Sequence, residues 1–297
     1  MANCRLDLRQ ECRSLLQKAV RRGDTALVTK VASRLSDDGD SNWIRARTAI
    51  LLFEECWPLG SQLELSNEIG GSLELLVKAA TSIKRKDAVG LGTLGLALSQ
   101  GDRSVLGGDA TDRHIRVIAE AIKRPADFWR WIPTECTSPE QTTFVAFACE
   151  VFRRGGWPWD RAFVQAAAYL AARTDIPIAC DVPKCPIPCP YWVAIDKHTS
   201  RGKHVLGDVA RMVNLSQEQI LWVSFYFESA IVNDLSESLW WEREIKWRLK
   251  TVHLEYEQAI CTWQKFQVLV CDMLATDANR LREYVETTDP DRPRLFV

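Results

Sequence analysis

The segment with the most potential chemistry is residues 196–204, which have the sequence Asp-Lys-His-Thr-Ser-Arg-Gly-Lys-His. It combines three cationic side chains, two imidazoles, two hydroxyls and a glycine beside which backbone N–H groups can approach an anion. Such a set is typical of phosphate recognition. We therefore predict a site for an anion or a nucleic acid here. Its predicted residues are Lys197, His198, Thr199, Arg201, Gly202, Lys203 and His204.

Two other interpretations of this segment stay open. In the first, Asp196 and His198 only organise the start of a helix, and the basic loop is solvated surface. In the second, His198 is a general base beside Asp196, in an enzyme that acts on a nucleotide or a phosphorylated substrate. No other catalytic set occurs in the sequence, such as a G-x-S-x-G elbow, an H-E-x-x-H motif or a dinucleotide fingerprint. The sequence therefore favours a non-catalytic protein.

A metal site is a second candidate. Cys180, Cys185 and Cys189 have the spacing C-x4-C-x3-C, and His198 follows them in the chain. Three thiolates and one imidazole form a sound tetrahedral zinc site. The spacing is looser than that of a C-x2-C knuckle, and the cluster occurs once. We therefore expect free thiols and no cofactor, with zinc as the alternative.

Two further basic groups and a glycine-rich segment have ordinary structural explanations. The basic groups are Lys18, Arg21 and Arg22 near Arg45 and Arg47, and the run Lys84-Arg85-Lys86 in a predicted loop. Either group would be able to contact phosphates, but a run of charges usually forms a solvated face. Residues 90–95, Gly-Leu-Gly-Thr-Leu-Gly, superficially resemble a phosphate loop. They lie in an Ala/Leu-rich helical run with no preceding strand, which indicates close helix packing instead.

The spacing of apolar residues is helical throughout, so we predict an all-α fold. A first helix ends at Gly23, and Asp24 caps a second. Residues 208–289 contain neither Gly nor Pro, which predicts two or three long helices. Within them, residues 249–273 carry a heptad-like apolar seam that is interpreted as a core face, or alternatively as a contact between subunits.

Three regions are predicted from these patterns. Residues 1–173 form an N-terminal helical domain, residues 174–207 a Cys/Pro-rich connector with the basic loop, and residues 208–297 a C-terminal bundle of long helices. The twelve tryptophans often occur in close pairs, which indicates core packing, with base stacking or partner docking as the alternative.

Composition restricts the compartment and the partners. The net charge is −1, so any contact with nucleic acid must come from a local patch. No apolar run approaches the roughly 18 residues of a membrane span. Ten cysteines behind a polar N-terminus indicate free thiols in a reducing compartment. We expect a cytoplasmic protein without a membrane partner.

Residues 15–58 resemble part of a known family. The chain has Gln-Lys-Ala-Val-Arg-Arg-Gly-Asp at 17–24, then a helical run, Trp-Ile-Arg-Ala-Arg at 43–47 and Phe-Glu-Glu-Cys at 53–56. This pattern is similar to the helical oligomerisation region, or collar, of the replication-associated recombination AAA+ ATPases. That family includes the bacterial recombination factor A and the Werner-helicase-interacting proteins. The matching residues are Lys18, Arg22, Gly23, Asp24, Ala46, Arg47 and Glu55.

The resemblance implies a clamp-loader-like collar without its ATPase, since the chain has no G-x-x-x-x-G-K-[ST] phosphate loop. The family also has a basic stretch after a proline-rich loop, to which residues 196–204 are similar. From the resemblance we expect a non-catalytic homo-oligomer of DNA replication, recombination or repair, with DNA or a replication or repair protein as partner. A helical scaffold of a mobile element, with no nucleic-acid role, is the remaining alternative.

Overall fold

The computed structural model describes residues 6–62, 69–177 and 186–287, and this part of the chain is all-α, as predicted. It contains thirteen α-helices, four short 3-10 segments and one π-helical turn, and no strand. The α-helices are α1 (Leu8–Arg22), α2 (Thr25–Asp37), α3 (Ser41–Glu55), α4 (Ile69–Thr81), α5 (Asp87–Ser99), α6 (Asp112–Lys123), α7 (Pro125–Trp131), α8 (Pro139–Arg154), α9 (Pro158–Arg173), α10 (Ser200–Met212), α11 (Gln217–Ser224), α12 (Leu239–Thr251) and α13 (Tyr256–Glu286). The 3-10 segments are Trp57–Gln62, Arg103–Val105, Ile132–Glu135 and Tyr191–Ala194, and the π turn is Phe225–Ser229.

The first two helices begin and end where capping chemistry predicts. Asp7 accepts a hydrogen bond from the backbone N–H of Gln10, and α1 ends at Gly23 in the left-handed conformation, with φ 75°. Asp24 then accepts from the backbone N–H of Leu27 at 3.0 Å and starts α2. These caps fix the direction in which the chain passes from α1 into α2.

The stretch without Gly or Pro contains one long helix, α13, and otherwise shorter ones. Asn214 and His253 follow α10 and α12 with φ of 54° and 59°, and Asp234 in the connection after the π turn has φ 50°. Asn and Asp tolerate this left-handed conformation better than most residues. The chain therefore turns at non-glycine residues, which a search for Gly and Pro does not detect.

Helix α5 lies at the centre of the helical packing. Its residues 88–97 are all buried, and it packs against α6, α9 and α12. A Cβ atom on Gly90 would lie 2.3 Å from the backbone carbon of Trp240, and one on Gly95 would lie 2.5 Å from Ile118. The predicted role of these glycines, close helix packing, is therefore confirmed.

Helix α13 packs along α10, α11, α1 and α2. Within the heptad-like seam, Ala259, Trp263 and Val270 are buried inside the chain itself, as the core interpretation predicts. Leu281 and Val285, further along α13, join the cluster formed by α1, α2 and α3. Although α13 is long, none of the described helices combines the length and the hydropathy needed to cross a bilayer.

The hydrophobic clusters cross the boundaries drawn from the sequence. One cluster joins α5, α8 and α9 to Trp240 and Trp247 of α12. A second joins α1 to α4 with Cys189 and with the end of α13. Each cluster therefore draws residues from more than one of the three predicted regions.

Candidate nucleic-acid interface

Residues 196–204 form the start of α10. Thr199 is the N-cap of this helix, and its hydroxyl accepts a hydrogen bond from the backbone N–H of Gly202 at 3.0 Å. The same hydroxyl donates to the carbonyl of Asp196 at 3.1 Å. A Cβ on Gly202 would lie 2.0 Å from that carbonyl oxygen. Thr199 and Gly202 therefore have a structural role, since they form the turn that positions the neighbouring side chains of residues 196–204.

Asp196 attaches this turn to α1. Its carboxylate is buried and lies 2.8 Å from Nζ of Lys18 in an equally buried ion pair. It also accepts from the backbone N–H of His198 at 2.9 Å and lies 3.1 Å from Nδ1 of the same residue. Burial alone would raise the pKa of Asp196, but the charge of Lys18 and the contact with His198 hold it well below its usual value. The His198 side chain itself remains 56% exposed.

The other predicted basic side chains differ in whether a carboxylate already pairs with them. Nε of Arg201 lies 2.6 Å from the carboxylate of Asp277 on α13, so this charge is already paired. His204 lies 3.6 Å from Asp208, one turn further along α10. Lys203 is exposed on the same helix. The structure therefore leaves Lys197, His198 and Lys203 as the most available groups of the predicted set.

Lys197 lies against aromatic rings rather than against a carboxylate. Its Nζ is 3.6 Å from the ring centre of Trp222 and 4.3 Å from that of Phe225. Arg248 on α12 lies against the same Trp222, with Cζ 4.4 Å from the ring centre. The guanidinium is also 4.2 Å from the ring centre of Trp247 and 6.0 Å from that of Trp159. These distances are typical of cation–π contacts.

We call this group the cation–aromatic surface, and it brings together the turn before α10, the end of α11, the π turn, α12 and the first turn of α9. Its members are Trp159, Lys197, Trp222, Phe225, Trp247 and Arg248. Within the described part of the chain, neither Lys197 nor Arg248 forms an ion pair with a carboxylate. Both cations are therefore held by aromatic rings rather than by a direct carboxylate partner.

A buried acid lies beneath the cation–aromatic surface. Tyr226 of the π turn donates its hydroxyl to one carboxylate oxygen of Glu244, and the other oxygen has no hydrogen-bond partner in the described chain. Burial raises the pKa of Glu244 to about 7 and lowers the pKa of Lys197 to about 8. Near neutral pH the cations thus carry more charge than the acid below them, which favours an anionic ligand.

In the two other basic groups, five of the cations are buried, so their interpretation as solvated faces was wrong for Lys18, Arg21, Arg22, Lys84 and Lys86. Arg45, Arg47 and Arg85 are half-buried. Arg21 pairs with Glu54 and Glu55 on α3. Arg22 lies 2.6 Å from the carboxylate of Glu228 in the π turn and donates to its backbone carbonyl at 2.8 Å. Together with Lys18, these residues join α1 to the rest of the molecule instead of meeting solvent.

The run Lys84-Arg85-Lys86 lies in a loop between α4 and α5, as predicted, but both of its lysine side chains are buried. Lys84 donates to the carbonyls of Ala79, Ala80 and Ser82 at the end of α4, with distances of 2.7 to 2.9 Å. Lys86 lies 2.5 Å from the carboxylate of Glu55. Neither ammonium group is accessible to a phosphate.

Of the predicted zinc ligands, Cys180 and Cys185 lie outside the described residues. Cys189 is buried, and burial raises the pKa of its thiol to about 11, whereas zinc binds the thiolate. His198 is held by Asp196. Residues 6–62, 69–177 and 186–287 contain no group of three or more His, Cys, Asp or Glu side chains placed to hold a metal. All the cysteines in these ranges are free thiols.

Sequence reasoning found Lys197 and His198 but missed Arg248, Trp222 and Trp159. These three come from separate helices, and nothing in their local sequence distinguishes them from ordinary core aromatics and surface cations. The pairing of tryptophans, noted for its possible stacking role, was the only sequence signal that included one of them.

No protein-family model matches the chain, and no curated protein or solved structure matches it either.

Proposed function

We propose that the chain is a non-catalytic, oligomerising interaction protein of DNA replication, recombination or repair that contacts nucleic acid through the cation–aromatic surface. The observation that carries this proposal is the placement of Lys197 and Arg248 on one tryptophan without a carboxylate partner. Two half-buried cations without an ion-pair partner among the described residues make a local positive site on a chain whose net charge is −1. The resemblance of residues 15–58 to a replication-associated collar supports a role in DNA replication, recombination or repair.

The geometry favours phosphate contact over a purely structural role for these cations. A cation that only stabilises a fold usually pairs with an acid, as Arg201 does with Asp277 at 2.6 Å. Lys197 and Arg248 instead lie on Trp222, and Lys197 belongs to the turn that also carries the exposed His198. Phosphate contacts of this kind fix the position of a nucleic acid but carry no base information, so we expect binding with little sequence preference.

The test is the salt dependence of binding to a labelled DNA oligonucleotide, measured by fluorescence anisotropy. Replacing both Lys197 and Arg248 by Ala should weaken binding. It should also flatten the log–log dependence on salt by about 0.7 to 0.9 for each phosphate that the variant no longer neutralises. Lys197→Arg with Arg248→Lys preserves both charges and should retain most of the affinity. Circular dichroism of each variant verifies that the fold is intact.

A matched control removes two charges elsewhere. Lys123 and Arg124 are exposed at the end of α6, and among the residues that the structure describes they pair with Glu120 alone. Their replacement by Ala should leave both the affinity and the salt slope unchanged. Equal effects of the two double variants would show that the molecule binds through diffuse charge and would contradict the proposed interface.

The oligomeric part of the proposal rests on the collar resemblance. The residues of the seam that are buried lie within a single chain, so they do not provide the subunit contact. Light scattering at tens of micromolar should nevertheless give a multiple of the 33.7 kDa chain mass. A clean monomer would remove the collar-like role and leave the nucleic-acid contact to be judged by the binding experiment.

One observation favours the second candidate, an enzyme that acts on a nucleotide or a phosphorylated substrate. The exposed imidazole of His198 has Nδ1 3.1 Å from the buried carboxylate of Asp196, an arrangement that orients a general base. This candidate predicts that His198→Ala alone abolishes a turnover which Lys197→Ala only weakens. Incubation with nucleotides and oligonucleotides, followed by chromatography of the products, distinguishes it from the non-catalytic proposal.

A further inference from the structure

Two exposed tryptophans stand at the start of α9, and one of them belongs to the cation–aromatic surface. Trp157 is 71% exposed, whereas indoles normally bury most of their area, and Trp159 is 39% exposed. Trp159 lies 6.0 Å from the guanidinium carbon of Arg248 and so continues the row of rings and cations that begins at Lys197, and Trp157 precedes it by two residues in the chain. Neither ring belongs to a core cluster of the described residues.

The backbone that carries these rings is stiff. Trp157 is the N-cap of α9 and has an extended backbone with ψ 141°, and Pro158 occupies the first helical position, where its φ is fixed. The next residue after Trp159, Asp160, is buried and lies 3.0 Å from a guanidinium nitrogen of Arg47 on α3. The two indoles are therefore presented on an anchored helix start rather than on a free loop, which lowers the entropic cost of binding.

From this arrangement we infer that the cation–aromatic surface binds single-stranded nucleic acid, with unpaired bases stacked on Trp157 and Trp159 and phosphates on Lys197 and Arg248. The inference rests on the proposed nucleic-acid contact and specifies its ligand. In a duplex the base faces are stacked on each other, so exposed indoles would add nothing to binding. In a single strand the faces are free, and a surface that carries both cations and aromatic rings offers contacts to both the phosphates and the bases.

The shared chemistry of the ligand is a flexible polynucleotide with accessible base faces, which can be DNA or RNA. Stacking tolerates every base, so the surface should bind without strong sequence preference. Discrimination between DNA and RNA requires a contact to the 2′-hydroxyl. Stacking on the rings and phosphate contacts to the cations do not involve that group. We therefore expect oligo-dT and oligo-U to bind with similar affinity.

The experiment compares labelled oligo-dT, oligo-U and a duplex of about 20 nucleotides, by anisotropy with the full chain. Single strands should bind at least tenfold more tightly than the duplex. Trp159→Leu and Trp157→Leu should each weaken single-strand binding at least about fivefold, and the matching Phe variants should retain most of it because they keep a π-face. Duplex binding should be unchanged by all four substitutions.

The controls separate this inference from the function on which it rests. Met212→Ala removes an exposed apolar side chain at the last residue of α10, which takes no part in the aromatic and cation–π contacts of the described residues, and should change nothing. If the duplex binds as tightly as the single strands while the double Ala variant of Lys197 and Arg248 binds more weakly, the stacking inference is overturned and the phosphate contact stands. If none of the three oligonucleotides binds, both are overturned. If Leu and Phe variants behave alike, the rings do not stack on bases and the inference fails.

Discussion

Glu11 on α1 is a fully buried carboxylate, and neither of its oxygens has a hydrogen-bond partner in the described chain. Burial raises its pKa to about 8, against an ordinary value of 4.5, in spite of nearby Thr199 and Lys18. Asp196, which carries a like charge, adds to the rise. The residue therefore interacts electrostatically with the Lys18–Asp196 ion pair that supports the candidate interface.

The first prediction follows from the direction of this pKa shift. Between about pH 4.5 and pH 8 the native state keeps a proton on Glu11 that the unfolded chain has released. The free energy of unfolding therefore falls as pH rises through this window and is level above it. Glu11→Gln removes this dependence and should be more stable than the wild type by about 2–4 kcal/mol above pH 8, with little difference near pH 4.5.

Urea unfolding at several pH values tests this prediction. A smaller slope persists in the variant, because burial also raises the pKa of Glu244 to about 7. The exposed Glu283 on α13 is the control, and its replacement by Gln should reproduce the wild-type pH profile. A Glu11→Gln profile parallel to that of the wild type would contradict the buried, protonated state.

Glu55 provides the second prediction at this scale. Its side chain is completely buried and lies 2.5 Å both from Nε of Arg21 and from Nζ of Lys86. Glu55→Gln leaves the buried cations Arg21 and Lys86 with Glu54 as the remaining acid of the cluster. The substitution should therefore lower the unfolding free energy by about 3–5 kcal/mol. A Glu55→Gln, Lys86→Met double variant should cost less than the sum of the single variants, since it removes both charges.

The exposed pair of Glu120 and Lys123 is the matched comparison, with N and O atoms 3.4 Å apart. A double-mutant cycle there should give a coupling energy below about 0.5 kcal/mol, because solvent screens an exposed pair. Equal coupling energies for the two pairs, measured by urea unfolding, would show that the buried charges are better solvated than their burial indicates.

At the scale of the elements, local chemistry was predictable and long-range pairing was not. The cap at Asp24, the stop at Gly23 and the packing role of Gly90 follow from neighbouring residues, and the sequence predicted all three. The burial of Arg22 depends on Glu228, which lies on a distant element, and no local pattern reports that contact. The cation–aromatic surface also depends on contacts between distant elements. Lys197 was predicted from its loop, whereas Arg248 lies on α12 and was not predicted.

The third prediction concerns the contact between α5 and α12. A Cβ on Gly90 would lie 2.3 Å from one backbone atom of Trp240 and 2.5 Å from the backbone nitrogen of Trp241, and a backbone cannot move aside as a side chain can. Gly90→Ala should therefore separate the two helices and lower the unfolding free energy by more than about 3 kcal/mol.

Gly156 is the control for this substitution, because nothing lies within 4 Å of the position that its Cβ would take. Gly156→Ala should change stability by less than about 0.5 kcal/mol in either direction. Because α12 carries Arg248, the Gly90 variant should also bind single-stranded oligonucleotides more weakly. Wild-type stability in Gly90→Ala would mean that α5 and α12 pack less closely than described.

At the scale of the whole molecule, the question is whether the three regions drawn from the sequence are independent. The buried ion pairs argue that they are not. Lys18 pairs with Asp196 and Arg22 with Glu228, so α1 is joined by desolvated charges to the turn before α10 and to the π turn. Breaking such a pair by separating its partners leaves buried charges alone, at a cost of several kcal/mol. The free energy of opening any one region therefore approaches that of global unfolding.

The last prediction tests this coupling by native-state hydrogen exchange. Leu281 near the end of α13 is fully buried against α1 and α2, whereas Leu94 is buried in the centre of α5. Leu281→Ala should reduce unfolding free energy by about 2–5 kcal/mol, because it removes apolar contacts and leaves a cavity. If the molecule opens as one unit, the protection of the slowest amides of α5 and α9 should fall by that same amount, and Leu94→Ala should likewise lower the protection of α13. If the C-terminal helices form a separate unit, each substitution will instead act only on its own side, and the amides of the other side will exchange as in the wild type.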